Sequence, residues 1–355
     1  MSDSVVGPAV SADKSPGSGV LARVANLSPA SFGMVMATGI ISLAANMLGL
    51  HVIARLLFFL NIAFYIVLCV LSLLRAIRYP SRFFGDMIDH RQAPGFLTSV
   101  AATAILGSQF MILAGNDRVG MVMWFVTIVL WVGLTYTIFA SFTIKEEKPT
   151  LDKGISGAWL LIAILSALLA EHVGQPGKLE MNFLALSMWL WGGMLYIWMM
   201  SLIFYRYTFF PFSPADLSPP YWINMGAMAI STLAGSLLII NVPHAPYLAS
   251  LLPFIKGFTV FYWVTGTWWI PMLLILGIWR HVYKRFPLKY DPLYWGAVFP
   301  LGMYAVSTGR MSQAMGFDFL WFLAPVFLCI ALLAWTMTFS GLVKDFLRRA
   351  RAFRV

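Results

Sequence analysis

Charged residues are scarce in this chain of 355 residues: they make up 11% of it, whereas soluble domains contain about 25%. Hydrophobic residues account for 60%, and the mean hydropathy is +0.81. This composition excludes an ordinary soluble domain and predicts one all-α, polytopic integral membrane domain. The net charge of +10 does not indicate nucleic acid as a partner, because the basic residues lie in short loops between apolar spans, where membrane topology explains them.

The positions of the cysteine, acidic and histidine residues do not indicate a disulfide, a metal site or a proton-coupling site. Cys69 and Cys329 lie within apolar spans, so neither a disulfide framework nor a cysteine metal site is predicted. The 14 acidic residues and the 5 histidines fall in loops, span ends or tails, and none lies mid-span. Because coupled carriers usually keep such a group inside the membrane, the sequence argues against proton coupling through an intramembrane carboxylate.

Catalytic motifs are absent as well. The chain has no H-E-x-x-H, G-x-S-x-G or Walker motif. The best candidate for a metal cluster is Asp86, Asp89 and His90, spaced D-x-x-D-H in a loop. A solvated loop surface is the favoured interpretation of these three residues, and metal binding is the alternative. We therefore expect no enzyme, no metal and no cofactor. A membrane enzyme or a structural subunit is the weakest alternative.

Apolar windows of about 20 residues, the length that crosses a bilayer, occur ten times. They are 30–49, 52–74, 94–114, 120–143, 154–171, 182–205, 220–241, 256–279, 292–313 and 319–342. Of the 24 Lys and Arg residues, 19 fall on the side of the N-terminus and 5 on the other side or at span ends. This asymmetry predicts that both termini are cytoplasmic. Residues 1–28 are expected to form a disordered tail, 29–342 the membrane domain, and 343–355 a basic cytoplasmic tail.

Small residues and bulky aromatic residues alternate from span to span. The odd spans are rich in Gly, Ala, Ser and Thr and recur about every 65 residues, beginning near Pro29, Pro94, Gly154, Pro220 and Pro292. The even spans carry many Trp, Tyr and Phe residues, which suit lipid and the interface. Because small residues let helices approach closely, the pattern predicts five helical hairpins, with odd helices inside around a central pore and even helices outside. The alternative is a solid bundle in which small residues only mark helix contacts.

The ninth window carries Phe299 directly before Pro300, between Gly296 and Gly302. A proline inside a helix removes one backbone hydrogen bond and bends the helix. A bent, small-residue helix with one aromatic indicates a pore lining with a plug, and the alternative is a kinked packing helix with an ordinary buried phenylalanine. A neutral path with hydroxyls and helix ends as its polar groups, and basic loops at its cytoplasmic mouth, favours an anion as cargo.

Three stretches resemble one family: LSPASFGMVMATGIISLA, PPYWINMGAMAISTLAG and PLYWGAVFPLGMYAVSTGR. They are similar to the tellurite-resistance/C4-dicarboxylate transporter family, which also contains plant slow-type anion channels and fungal malate and sulfite permeases. Loop pieces such as KEEKPTLDKGISGAWL look like the bacterial branch. The resemblance covers residues 28–342 and implies ten helices around a central pore, in a homotrimer with one pore per subunit.

In the channel members a phenylalanine in a W-x-x-x-F-P run closes the pore, and here that run is Trp295–Pro300. The resemblance therefore assigns the gate to Phe299, next to Pro300. Small and hydroxyl residues of the odd spans are the candidates for the pore lining, namely Thr38, Gly39, Ser42, Thr103, Ser231, Thr232, Gly235 and Gly302.

We therefore expect a passive conduit for small anions of the malate, chloride, nitrate or sulfite class, located in the bacterial cytoplasmic membrane. The expected partners are these anions, the lipid bilayer and two further copies of the chain. The alternative is a proton-linked carrier for C4-dicarboxylates or sulfite, with a tellurite-resistance phenotype. It would move protons through water or through the substrate, since the spans offer no carboxylate.

Overall fold

A computed structural model gives the architecture of the chain. It describes residues 24–89, 92–145, 168–170, 177–211, 213, 214, 217, 219–287 and 290–352. Within these ranges the chain contains helices and turns and no strand. The all-α class predicted from the sequence is confirmed.

The helices are numbered α1 to α10 within the described residues. They are α1 Gly33–Met47, α2 His51–Arg78, the short α3 Pro80–Ile88, α4 Ala93–Ala114, α5 Asp117–Ile144, α6 Gly177–Phe209, α7 Ile223–Ile240, α8 Tyr247–Ile278, α9 Trp295–Met315 and α10 Leu323–Ala352. Seven stretches are long and apolar enough to cross a membrane: α1 counted from Pro29, α2, α4, α5, α6, α10, and α8 with the turn that follows it.

Nine of the ten predicted spans coincide with long helices. The fifth, 154–171, lies outside the described residues except for 168–170, so the count of ten spans stays a prediction. The described residues include part of each predicted tail. Val24 and Ala25 are buried, and the backbone carbonyl of Ala25 accepts a hydrogen bond from Arg75 Nε at 3.1 Å. At the other end α10 continues to Ala352.

Helix boundaries follow from local sequence chemistry. The 3-10 turns that precede α1 and α9 each begin with a proline, Pro29 and Pro292. Proline has no backbone N–H, and the N–H of another residue would have no partner in this first turn. The Ser28 and Asp291 side chains accept hydrogen bonds from backbone N–H groups of these turns. At the opposite ends of α4 and α9, Gly115 and Gly316 adopt left-handed backbone angles with φ of 59° and 71°, which glycine tolerates best.

Burial separates inner from outer helices. In the apolar windows of α1 and α4, 67% and 72% of the residues are buried, against 17–22% in α2, α5, α8 and α10. Every residue of α7 from Asn224 to Ile239 is buried, as is the segment from Val298 to Gly309 of α9. Since the outer helices expose large hydrophobic side chains such as Phe59 and Phe125, their outward surfaces suit a lipid environment.

The inner helices contact one another in the order α4, α1, α9, α7. Each packs against the outer helix that follows it in the chain: α1 with α2, α4 with α5, α7 with α8, and α9 with α10. The turn at Pro292–Tyr294 also contacts the turns at Pro29–Phe32 and Pro219–Trp222. The N-terminal ends of three inner helices therefore meet at one end of the bundle.

Two glycines let α9 approach its neighbours closely. A Cβ atom on Gly226 of α7 would lie 2.8 Å from Cγ of Pro300. A Cβ atom on Gly302 of α9 would lie 2.9 Å from Cγ2 of Ile40 and 3.0 Å from Cγ1 of Ile41, both in α1. Such distances are shorter than carbon–carbon van der Waals contact. The position of α9 between α1 and α7 therefore depends on the absence of side chains at these positions.

We expect Gly226→Ala to destabilise the protein by about 1–3 kcal/mol, because the rigid proline ring opposite the new methyl group cannot move away without shifting α9. Gly133→Ala is the matched control: Gly133 is also helical, and a Cβ atom there would meet nothing within 4 Å. Thermal unfolding of the purified protein in detergent measures both. Equal unfolding midpoints for the two variants would contradict the close packing of α7 on α9.

Candidate transport pathway

A cavity of about 50 Å³ lies between the inner helices. The C-terminal halves of α1, α4, α7 and α9 line it, together with Leu168. Because the same halves of four helices meet there, these helices run parallel. The cavity is therefore central and lies towards the end of the bundle opposite the proline turns.

The lining residues follow one face of each helix. On α1 they include Ile40, Leu43 and Met47, on α4 Ile105, Ser108 and Ile112, on α7 Leu233 and Leu237, and on α9 Met303, Val306 and Arg310. Steps of three and four residues return to the same helix face. The walls are mainly aliphatic, and Arg310 is the charged residue among the described residues that line the cavity.

Phe299 lies on the same face of α9 as the cavity lining, four residues before Met303. At a rise of about 1.5 Å per residue, this places its backbone about 6 Å from that of Met303 along the helix. Its side chain is only 2% exposed and belongs to the largest fully buried side chains of the molecule. The aromatic ring is therefore buried in the bundle interior, one helical turn from Met303 towards the proline turns. Phe299 itself is not among the described residues that line the cavity.

Pro300 lies inside α9. Because proline has no N–H, the carbonyl of Gly296 lacks its helical partner at this point. The Pro300 ring faces Gly226 of α7, so this turn of the helix packs against a neighbour directly beside Phe299.

A polar and aromatic cluster holds the opposite face of α9. Trp263 Nε1 of α8 donates a hydrogen bond to Thr308 Oγ1 at 2.9 Å, and the hydroxyls of Thr267 and Tyr304 are 2.8 Å apart. Thr308 lies nine residues from Phe299, which is half a turn in rotation at 3.6 residues per turn. These bonds to α8 therefore fix the rotation of α9 that turns Phe299 towards the bundle interior.

The hydroxyl candidates on α1 and α4 bond to outer helices. Thr38 Oγ1 accepts a hydrogen bond from Trp335 Nε1 of α10 at 3.0 Å. Ser42 Oγ donates to the carbonyl of Ala54 in α2 at 2.7 Å. Thr103 Oγ1 lies 2.8 Å from the hydroxyl of Tyr65, also in α2.

On α7 the hydroxyls of Ser231 and Thr232 donate to backbone carbonyls one turn earlier, at 3.0 and 2.8 Å. The glycine candidates lie where helices touch. A Cβ atom on Gly39 would meet Ile105, Asn61 and Gln109, and one on Gly235 would meet Thr259 and Trp189. Gly302 faces α1 as described above. None of the eight candidates is among the described residues that line the cavity, and their role in a pore stays a prediction.

The aliphatic face and Arg310 were not among the pore-lining residues predicted from the sequence. A usable signal was present in the spacing from Phe299, since steps of four, three and four residues lead to Met303, Val306 and Arg310. The metal-binding alternative for the D-x-x-D-H residues is not tested as a whole by the described residues. There Asp86 pairs with Arg75, Asp89 accepts from the backbone N–H of Gln92, no group of metal-binding side chains is found, and His90 lies outside the described residues.

Several relatives align over more than four fifths of this chain. An uncharacterized transporter of Methanocaldococcus jannaschii is 26% identical over 83% of this chain and 87% of its own length. The sulfite efflux pump of Arthroderma benhamiae is 21% identical over 89% and 90%. The malic acid transport protein of Schizosaccharomyces pombe is 23% identical over 88% and 78%. The relatives that carry functional names are thus membrane transporters.

The family described as voltage-dependent anion channel matches residues 26–343. This range takes in all ten predicted spans, and the match agrees with the resemblance carried by the three motifs. The matched range contains Phe299, Arg310 and the described residues that line the cavity. The chain belongs to the voltage-dependent anion channel family.

Proposed function

We propose that the protein is a passive conduit for small anions in which Phe299 closes a pore between the inner helices. The observation that carries this proposal is the position of Phe299 on the cavity-lining face of α9, buried and one turn from the end of the cavity. Removal of its ring would extend the cavity towards the proline-turn end of the bundle. The aromatic side chain therefore acts as the plug.

The charge distribution supports an anion as the cargo. Arg310 lies among the cavity-lining residues. At the other end of the bundle, the N-terminal ends of inner helices meet, and such ends carry a partial positive charge that favours anions. The names of the relatives, a sulfite efflux pump and a malic acid transport protein, suggest the class of cargo. We propose malate, chloride, nitrate or sulfite.

The complete architecture that we propose has ten spans in five hairpins. The fifth span, 154–171, includes Leu168 of the cavity wall, and we propose that it closes the ring between α7 and α4. The excess of Lys and Arg in the loops at the proline-turn end supports a cytoplasmic location for that end and for both termini. We further propose a bacterial cytoplasmic membrane as the location and a homotrimer with one pore in each subunit as the assembly.

Phe299→Ala is expected to raise anion flux by at least about tenfold, which corresponds to lowering the barrier by about 1.4 kcal/mol. Flux of chloride and nitrate into liposomes that contain the purified protein measures it. Phe58→Ala is the matched control, because Phe58 is 5% exposed and packs on Phe110 between α4 and α2, away from the cavity lining. An unchanged flux in a correctly folded Phe299→Ala protein, or an equal gain in Phe58→Ala, would contradict the gate.

A proton-linked carrier is the second candidate, and the name of the sulfite efflux pump favours it. We expect flux that follows the electrochemical gradient of the anion and does not change when a pH gradient is imposed at constant anion gradient. Ion flux and internal pH are recorded together in the same liposomes. Anion movement that stops without a pH gradient would favour the carrier, in which case Phe299→Ala would not produce currents.

Cysteine accessibility tests which face of α7 lines the pathway. In a variant that lacks Cys69 and Cys329, we expect a charged thiol reagent to modify Leu233→Cys at least about tenfold faster than Thr232→Cys. One residue along a helix is a rotation of about 100°, and Leu233 but not Thr232 is a cavity residue. Faster reaction at Thr232→Cys would instead support the hydroxyl candidates as the pore lining.

A further inference from the structure

We propose that the short helix α3 lies in the plane of the membrane surface, where its exposed apolar face contacts lipid and Arg78 binds the headgroup of an anionic phospholipid. α3, Pro80–Ile88, has 9 residues. It is about 14 Å long, which is less than half of what is needed to cross a bilayer. Lipid, and not the transported anion, is the ligand of this surface, so the proposal goes beyond the conduit function.

α3 lies at the edge of the bundle, at the proline-turn end. It follows the last residue of α2 and precedes the start of α4, and it contacts α2, α4 and α5. Two of these three helices are outer helices, whose exposed large hydrophobic side chains suit lipid. α3 therefore lies where the outer surface of the bundle reaches the surface of the bilayer.

One face of α3 is fixed to the protein. Met87 is buried, and the ring of Phe83 packs edge-on against Phe96 of α4, with the ring centroids 5.1 Å apart. The carboxylate of Asp86 pairs with the buried guanidinium of Arg75 in α2. Because these contacts involve neighbouring positions around the helix, they set the rotation of α3 about its own axis.

The exposed side of α3 has an apolar stripe and an edge without apolar side chains. Pro80, Phe84 and Ile88 are exposed and four residues apart, so they form one stripe along the helix. Phe84 and Ile88 are 56% and 46% exposed. Ser81 and Gly85, each about 100° further round the helix than the stripe residue before it, are exposed as well. This arrangement suits an interfacial helix with the stripe towards the acyl chains and the other edge towards water.

The lipid-facing surface of α2 continues to the start of α3. Val70, Leu73 and Ile77 lie three and four residues apart on one face of α2, and all three are exposed. Only Arg78 and Tyr79 separate this face from α3. The two exposed apolar surfaces therefore follow each other at the same end of the bundle, and the lipid that covers the first is the occupant that we propose for the second.

Arg78 gives the surface its preference for anionic lipid. It is the exposed last residue of α2, and it has no hydrogen bond or ion pair with any of the residues that the structure describes. The nearby carboxylate of Asp86 is paired with Arg75. Residues 75–89 contain three Arg and two Asp, an excess of one positive charge. A guanidinium matches the oxygens of a phosphate in geometry and charge.

Spin labels test the position of α3 in vesicles of phosphatidylcholine and phosphatidylglycerol. Labels are attached to Phe84→Cys, Ile88→Cys and Gly85→Cys in a full-length variant that lacks Cys69 and Cys329. Gly85→Cys is the matched control, because a Cβ atom there would meet nothing within 4 Å. Collision of each label with oxygen, which concentrates in the bilayer, is compared with collision with a water-soluble nickel chelate.

We expect the ratio of oxygen to nickel collisions to be at least about threefold higher at positions 84 and 88 than at position 85, because an interfacial helix buries its apolar face about 5–10 Å into the headgroup boundary. Equal ratios at the three positions would overturn the proposal, since the stripe would then face water. Weak collision with both reagents at positions 84 and 88 would also overturn it, since protein from residues 1–23 or from a second copy of the chain would then cover the stripe.

The lipid preference is measured with a fluorophore on Ser81→Cys in the same background, quenched by nitroxide-labelled lipids. Ser81 lies three residues from Arg78 and outside the stripe, so the cation and the stripe stay intact. We expect labelled phosphatidylglycerol to quench at about one fifth of the mole fraction that phosphatidylcholine needs, the preference that one arginine supplies near an anionic surface. Arg78→Gln should remove this preference.

Arg118→Gln is the matched control for the loss of one positive charge, because Arg118 is exposed in the first turn of α5, at the opposite end of the bundle. It should leave the preference unchanged. Equal quenching by the two lipids before Arg78 is changed, or the same loss in Arg118→Gln as in Arg78→Gln, would overturn the lipid site. Neither measurement uses anion flux, so failure of the Phe299 gate and failure of the lipid site are separate results.

Discussion

The structure depends on the close contact of α9 with α1 and α7. Gly302 admits Ile40 and Ile41 of α1, and Gly226 admits the ring of Pro300. Both contacts place small residues against rigid or branched partners, so α9 has little freedom to slide or rotate. The bonds of Tyr304 and Thr308 to α8 hold its other face. The orientation of Phe299 towards the interior is a consequence of these four contacts rather than of any bond made by Phe299 itself.

The cavity between the inner helices has few polar groups. Aliphatic side chains from four parallel helices form most of its described wall, and Arg310 lines it near the C-terminal end of α9. Hydroxyl groups, which are abundant on these helices, bond mainly to backbone carbonyls and to outer helices. Such bonds satisfy the hydroxyls within the protein, as a low-dielectric environment requires, and they join the inner ring to the outer one.

Much of the fold was accessible from the sequence, because burial in a membrane leaves a strong compositional pattern. The alternation of small and bulky spans correctly distinguished buried helices such as α4 from exposed ones such as α5. The rotation of each inner helix was not accessible, since a helix buried on all sides has no polar face to orient it. Ser42 and Thr103 were predicted to line the pore because they carry hydroxyls, yet these hydroxyls bond to α2. Arg310 lines the cavity, and the distribution of basic residues along the sequence does not predict this position.

The central claim is that the volume of the side chain at position 299 limits anion passage. The most direct measurement is nitrate flux for three variants at this position, Phe299→Leu, Phe299→Val and Phe299→Ala. The unfolding temperature of each variant is measured as well, so that the effects of side-chain volume and of stability on flux can be separated. The account predicts that flux rises step by step as the side chain becomes smaller, whatever the order of stabilities. Flux that is the same across the series, or that follows stability instead of volume, would contradict it.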